Sequence, residues 1–205
     1  MIIPHLGFKN YPEKKLEIEE KSQPQREWQD EKNDILRSQT DPQAFRPLYE
    51  KYFKRIFLFV LHRVEDRSVA GDITSQTFLK ALLNIGRFKF RGLPFSSWLF
   101  RIALNECNDY FRKNSRYRIV TIDDKAVEHL FEELTNNTRE EDLRQQLPVI
   151  LQRLSREELQ LIELRFFDQR PFKEVADIIG ITETYAKVKV YRILQKMKKL
   201  FLKES

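Results

Sequence analysis

Residues able to carry covalent or metal chemistry are few and scattered. His5, His62 and His129 lie far apart and share no ligand spacing with the one cysteine, Cys107. A structural zinc needs four such groups converging in tight local pairs, so no metal site is expected. There is no glycine-rich phosphate loop closing on Lys-Ser or Lys-Thr, and no nucleophile elbow around a serine. Aspartates and glutamates are numerous, but none stands out in an apolar loop as a paired metal-holding set would, which disfavours a nuclease or recombinase. Cys107 sits in an apolar helical pattern and reads as a small core residue; being single, it forms no internal disulfide. The expected protein is not an enzyme and carries no cofactor.

What remains is the chemistry of recognition. The loop Gly86–Ser97, GRFKFRGLPFSS, alternates Arg87, Lys89 and Arg91 with Phe88, Phe90 and Phe95. Aromatic faces stack on bases and cations meet phosphates, so this mixture suits a single strand of nucleic acid. The same residues also read as a loop pinned to its core by Phe88 and Phe95. Farther along, Arg170–Leu202 reads as two helices around a tight turn at Gly180. Phe172, Val175, Ala176 and Ile179 form the first apolar face. Thr182 or Thr184 caps a second helix whose buried stripe is Ala186, Val190, Ile193, Leu194, Met197 and Phe201. Tyr185, Lys187, Val188, Lys189, Tyr191 and Arg192 are left outward. That is the pattern of a helix-turn-helix reader of duplex DNA; an ordinary helical hairpin with a solvated face fits the spacing equally well.

These segments need scaffolding, and the pattern supplies helices. Asp41-Pro42 is a start signal for a long helix with Phe45, Leu48, Tyr49, Tyr52, Phe53, Ile56, Phe59, Val60 and Val64 inward. A helix from about Ser68 turns Ile73, Phe78, Ala81 and Leu82 inward and presents Asp72, Ser75, Gln76 and Lys80 as a polar strip. Ser96 or Ser97 caps a third, with Trp98, Leu99, Ile102, Ala103, Cys107 and Phe111 inward. Arg101, Asn105, Asn108, Arg112 and Lys113 lie on its polar side, followed by Arg116 and Arg118. Residues 119–138 are acidic and read as a linker with one short helix. Helices resume through Leu143, Leu147, Val149, Ile150, Leu151 and Leu154, and Ser155 with Glu158 has the form of a capping box. The fold class is all-α: two small helical domains, 40–118 and 139–205, joined by an acidic linker, the second a helix-turn-helix without a wing. Residues 1–39 read as a mobile tail containing one short helix around Trp28, Ile35 and Leu36.

Net charge is +6 and the pI about 9.3, and the excess is concentrated between Arg87 and Arg118, where Glu106 and Asp109 are the only acids. A polyanionic partner follows. With no secretory leader, no bilayer-length apolar run and a lone cysteine, a cytoplasmic protein is expected.

Three stretches together carry a family resemblance. AFRPLYEKYFKRI with DITSQTFLKAL, then FSSWLFRIALNECNDYFRK, then LSREELQLIELRFFDQRPFKEVADIIGITETYAKVKVYRILQKMKKL are similar to regions 2 and 4 of bacterial RNA polymerase sigma factors of the extracytoplasmic-function (ECF) group. The resemblance runs from about Asp41 to Leu202. It implies a subunit that binds core RNA polymerase and promoter DNA, and it leaves an anti-sigma factor open as a further partner. Asp72, Ser75, Gln76 and Lys80 would face the polymerase; the family's usual Gln-Glu pair is Ser75-Gln76 here. Phe88, Lys89, Phe90, Arg91, Arg101, Asn105, Asn108, Arg112 and Lys113 would hold the melted −10 strand, with Asn105 at a flipped base. Thr184, Tyr185, Lys187, Val188, Lys189, Tyr191 and Arg192 would enter the −35 major groove, and Arg170 and Lys173 would meet phosphates. The competing reading is an autonomous helix-turn-helix regulator that never binds polymerase.

Overall fold

A computed structural model describes residues 24–90, 94–114, 130, 134 and 140–204, and among them there is no strand. In chain order the helices are α1 (Pro24–Ser38), α2 (Arg46–Val64), α3 (Arg67–Asn84), α4 (Phe95–Asn114), α5 (Glu140–Gln152), α6 (Arg156–Ile162), α7 (Phe172–Ile179) and α8 (Glu183–Glu204). The all-α expectation holds.

Local chemistry sets the boundaries. Asp41 accepts from the Gln43 amide, and Pro42 opens a 3-10 turn that leads into α2. The long helix therefore starts at Arg46, one turn later than the Asp-Pro signal suggests. Asp66 accepts from the amides of Ser68 and Val69 and starts α3. Ser155 and Glu158 close a reciprocal capping box on α6, and α6 widens into a π-turn over Glu163–Phe167. Gly180 ends α7 at φ 87°, where a side chain would be strained. The Thr182 hydroxyl accepts from the Tyr185 amide, so Thr182 rather than Thr184 opens α8. One start signal fails: α4 begins at Phe95, not after Ser96 or Ser97. The buried Phe95 ring, packed on Tyr52 and Phe88, draws the first turn inward and places Ser97 inside the helix.

Helices α2, α3 and α4 pack on one another around Leu48, Ile56, Phe59, Phe78, Leu99 and Ala103. α5 to α8 form a second unit around Leu147, Ile150, Ile162, Leu164, Ile193 and Met197. A fully buried aliphatic side chain of this kind contributes about 1.5–3 kcal/mol relative to exposure. The α8 stripe is buried at every expected position. Val149 is exposed instead, because the inward row of α5 is Leu147, Ile150 and Leu151 at helical spacing and Val149 lies on the opposite side.

Residues 24–39 are not a mobile tail. Ile35 is fully buried, and the Gln39 side-chain amide donates to the carbonyls of Ile85 (3.2 Å) and Phe88 (3.1 Å). Residues 1–23, and the 119–138 linker apart from Leu130 and Leu134, lie outside the described residues. Those two leucines are buried and belong to the hydrophobic core.

Candidate nucleic-acid and polymerase interfaces

The outward face of α8 is open. Over its buried stripe stand Tyr185, Val188 and Tyr191, the last 64% exposed, together with exposed Thr184, Lys187 and Arg192. Lys187 pairs with Glu183 one turn back at 2.7 Å, and Lys189 lies over the Tyr185 ring at 5.1 Å and 3.7 Å from Glu157. These are surface pairs, worth little each and readily exchanged for phosphates. Behind them Lys196 binds Glu158 at 2.7 Å. Burial works against the Glu158 carboxylate, but the hydrogen bonds from Lys196 and from Ser155 outweigh it and hold its pKa below the ordinary value.

The α4 face is different, because the second helical unit lies against it. Arg101 donates to the carbonyls of Ile178 (3.0 Å) and Asp177 at the end of α7. The last carbonyls of a helix have no partner within it and carry partial negative charge, so a guanidinium there is doubly favourable. Gly180 contributes again: a β-carbon at this residue would stand 3.4 Å from the Arg101 guanidinium. Asn108 accepts from the Gln160 side-chain amide at 2.7 Å. Arg112 pairs with Asp109, while Asn105 and Lys113 point to solvent. Of the expected strand-binding residues, Asn105, Arg112, Lys113, Lys89 and Phe90 are exposed, and Arg101 and Asn108 are held by the second unit. Phe88 is buried, packed against Phe95 and Trp98, so it pins the loop. Arg91, Arg116 and Arg118 lie outside the described residues.

The junction has an ionic centre that sequence reasoning missed. Arg63 of α2, counted on no face, is buried. It contacts Asp168 at 2.5 Å and approaches Glu163 at 3.8 Å, donates to the Phe59 carbonyl at 2.9 Å, and lies 3.6 Å over the Phe59 ring. Burial alone would lower its pKa; the Asp168 and Glu163 carboxylates outweigh that and raise it, so the cation is secure. Arg170 is a correction: expected on phosphates, it is held by Glu174 and lies 3.8 Å over the Phe100 ring. Burial lowers its pKa, against the pull of Glu174 and Asp168. Lys173 remains exposed.

On α3, Asp72, Ser75 and Gln76 are exposed, and Lys80 bridges to Glu106 of α4 at 2.5 Å. The same helical row continues through Leu79 and Leu83, the latter 73% exposed. The two leucines leave an exposed apolar patch continuing the polar strip. Their i, i+4 spacing on the solvent side was the available signal.

Comparison with known proteins agrees with this architecture. Residues 48–117 match sigma-70 region 2 and residues 150–199 match sigma-70, region 4. The ECF RNA polymerase sigma factor BldN of Streptomyces coelicolor is 32% identical over 167 residues, covering 77% of this chain; the chain spans 60% of the length of that relative. ECF sigma factor SigM of Bacillus subtilis is 25% identical, with 75% and 93% covered. Among solved structures, CnrH in complex with the cytosolic domain of CnrY is similar in fold, with a TM-score of 0.51 at 18% identity and coverage of 84% and 97%. Two sigma-70 regions in order on two helical units, with relatives that are themselves ECF sigma factors, place this chain in the ECF group of RNA polymerase sigma factors, the non-enzymatic subunits that direct promoter-specific initiation.

Proposed function

We propose a division of labour among three surfaces of this sigma factor. Residues 139–205 read the −35 duplex, with Tyr185, Lys187, Val188, Tyr191 and Arg192 of α8 in the major groove and Lys189 at its edge. Val188 is suited to a thymine methyl group, and the bulk of Tyr185 to a promoter preference of its own. Residues 40–118 hold core polymerase through Asp72, Ser75 and Gln76, extended by Leu79 and Leu83, and capture the melted −10 strand with Lys89, Phe90, Asn105, Arg112 and Lys113. The observation that carries the reading is the bare α8 face above a fully buried stripe.

Arg101 and Asn108 join the strand-binding set only once they leave α7 and Gln160. Strand capture by these two residues therefore requires the helical units to part at the Arg63 junction. Core polymerase, binding α3 on one unit, and −35 DNA, binding α8 on the other, supply the differential affinity that such a shift needs. Transcription takes place in the cytoplasm, which is where this reading puts the chain; among the described residues no helix is long and apolar enough to cross a membrane.

The test is co-purification of this chain with bacterial core polymerase, followed by transcription from a randomised promoter library. A stable complex that initiates at a shared two-part motif supports the reading. Duplex binding without any polymerase complex favours the autonomous regulator.

A further inference from the structure

One aromatic and basic cluster includes a helix that the region 2 match leaves out. Trp28 of α1 is 56% exposed and Phe90 of the loop 38% exposed. Lys32 stands between them, its Nζ 5.3 Å from the Trp28 ring and 5.9 Å from the Phe90 ring. α1 ends at Ser38, before the match begins at residue 48.

The cluster is held from both sides. Buried Ile35 and the two Gln39 hydrogen bonds fix the end of α1 to the backbone of the loop. Phe90 packs edge-on against Phe88 at 5.2 Å, and Phe88 sits on Phe95 and Trp98. Exposed Arg87 and Lys89 precede Phe90 in the loop. Glu31, the neighbour of Lys32, is occupied by Lys51 (2.5 Å) and Tyr52 (2.6 Å). Rings kept apart and exposed, with an ammonium group between them, match a single strand: rings take base faces and cations take phosphates. A protein partner fits less well, since lysine is depleted from the cores of protein interfaces.

We propose that Trp28 and Lys32 extend the strand-capture surface, Trp28 stacking on one nucleotide of the melted promoter beyond the reach of Phe90 and Lys32 neutralising an adjacent phosphate. This rests on the strand-capture reading above.

The experiment uses holoenzyme assembled from the full chain. The probe is a fork-junction DNA carrying the promoter that the unaltered holoenzyme selects from a randomised pool, with 2-aminopurine placed in turn at each single-stranded position beside the −10 element. Trp28→Ala weakens fork binding about tenfold and raises fluorescence at one position as the base unstacks, whereas Trp28→Tyr keeps most of the affinity. Lys32→Ala weakens binding about threefold and lowers the salt slope by about one ion. Both variants bind a −35 duplex fragment unchanged. Fork affinity and fluorescence unchanged by Trp28→Ala, with Asn105→Ala still weakening the fork, overturn the platform and leave strand capture standing. If neither substitution has an effect, strand capture itself falls and takes the platform with it. A Trp28→Ala protein that loses core polymerase instead of fork DNA assigns the cluster to a protein contact and overturns the proposal. Since Trp28 lies outside the core, Lys32→Ala and Trp28→Tyr provide readings that do not depend on refolding α1.

Discussion

Helices α4, with 20 residues, and α8, with 22, both present basic and polar side chains toward DNA in the proposed reading, yet they stand in opposite states. α8 buries one stripe and leaves the other side to solvent. α4 buries Leu99, Ala103 and Cys107, and Phe100 and Leu104 as well, and a segment from far along the chain packs against part of its outer side. The duplex reader is open as it stands, and the strand binder is partly occupied by the body of its own duplex reader. Duplex DNA is available before initiation and a single strand only after melting. The contrast therefore orders the two events, with −35 docking able to precede full exposure of α4.

The junction that maintains the difference is polar as well as apolar. A buried ion pair adds little stability over a hydrophobic replacement, but removing one partner strands the others. Arg63→Ala leaves Glu163 and Asp168 facing a low-dielectric gap. The largest expected effect is accordingly a loss of about 3–5 kcal/mol, seen in denaturant unfolding as one transition separating into two. Should unfolding remain single and the midpoint move little, the junction is not what couples the units.

Asn105→Ala comes next, because it breaks the α4 side of the comparison alone. Losing one contact to an extruded base should weaken fork-junction binding by about 1–3 kcal/mol while −35 duplex affinity holds, as gel shifts on the two probes would reveal. Equal loss on both probes would contradict the separation of roles. The converse substitution, Lys187→Ala, should reduce duplex affinity severalfold and lower the log-log salt slope by about one unit, with fork opening little changed.

The smallest effect concerns pH and sharpens the α8 side. The folded Glu158 carboxylate titrates below its unfolded value, so its contribution is present above that value, 4.5, and is lost as the pH falls through the lower folded value. Acid melts should therefore show a pH-dependent step in the second unit that Glu158→Gln removes.

What the sequence disclosed follows the same contrast. The α8 stripe, the Gly180 turn and the Ser155 box were legible because each is settled by neighbours within a few residues and by burial on one side. Phe100, Leu104, Ile178 and Arg63 were not. Contacts across this junction join residues 77 and 105 positions apart in sequence, in the Arg101–Ile178 and Arg63–Asp168 pairs, and no local period encodes them. Arg170 misled for the same reason: a basic residue beside a helix-turn-helix reads as a phosphate contact until Phe100 and Glu174 are found around it. Leu79 and Leu83 were not legible as surface, because an apolar residue on a helix reads as core until its exposure is known.

The most direct measurement is the distance between the two helical units at work. Dyes on Lys54→Cys and Gln152→Cys, both exposed and on none of the proposed surfaces, report it by energy transfer, and buried Cys107 stays unlabelled. Transfer should be high in the free chain and fall clearly once core polymerase and fork-junction promoter DNA are added. Unchanged transfer in complexes that transcribe would contradict it, since α4 would then be capturing its strand with Arg101 and Asn108 still bound to the second unit.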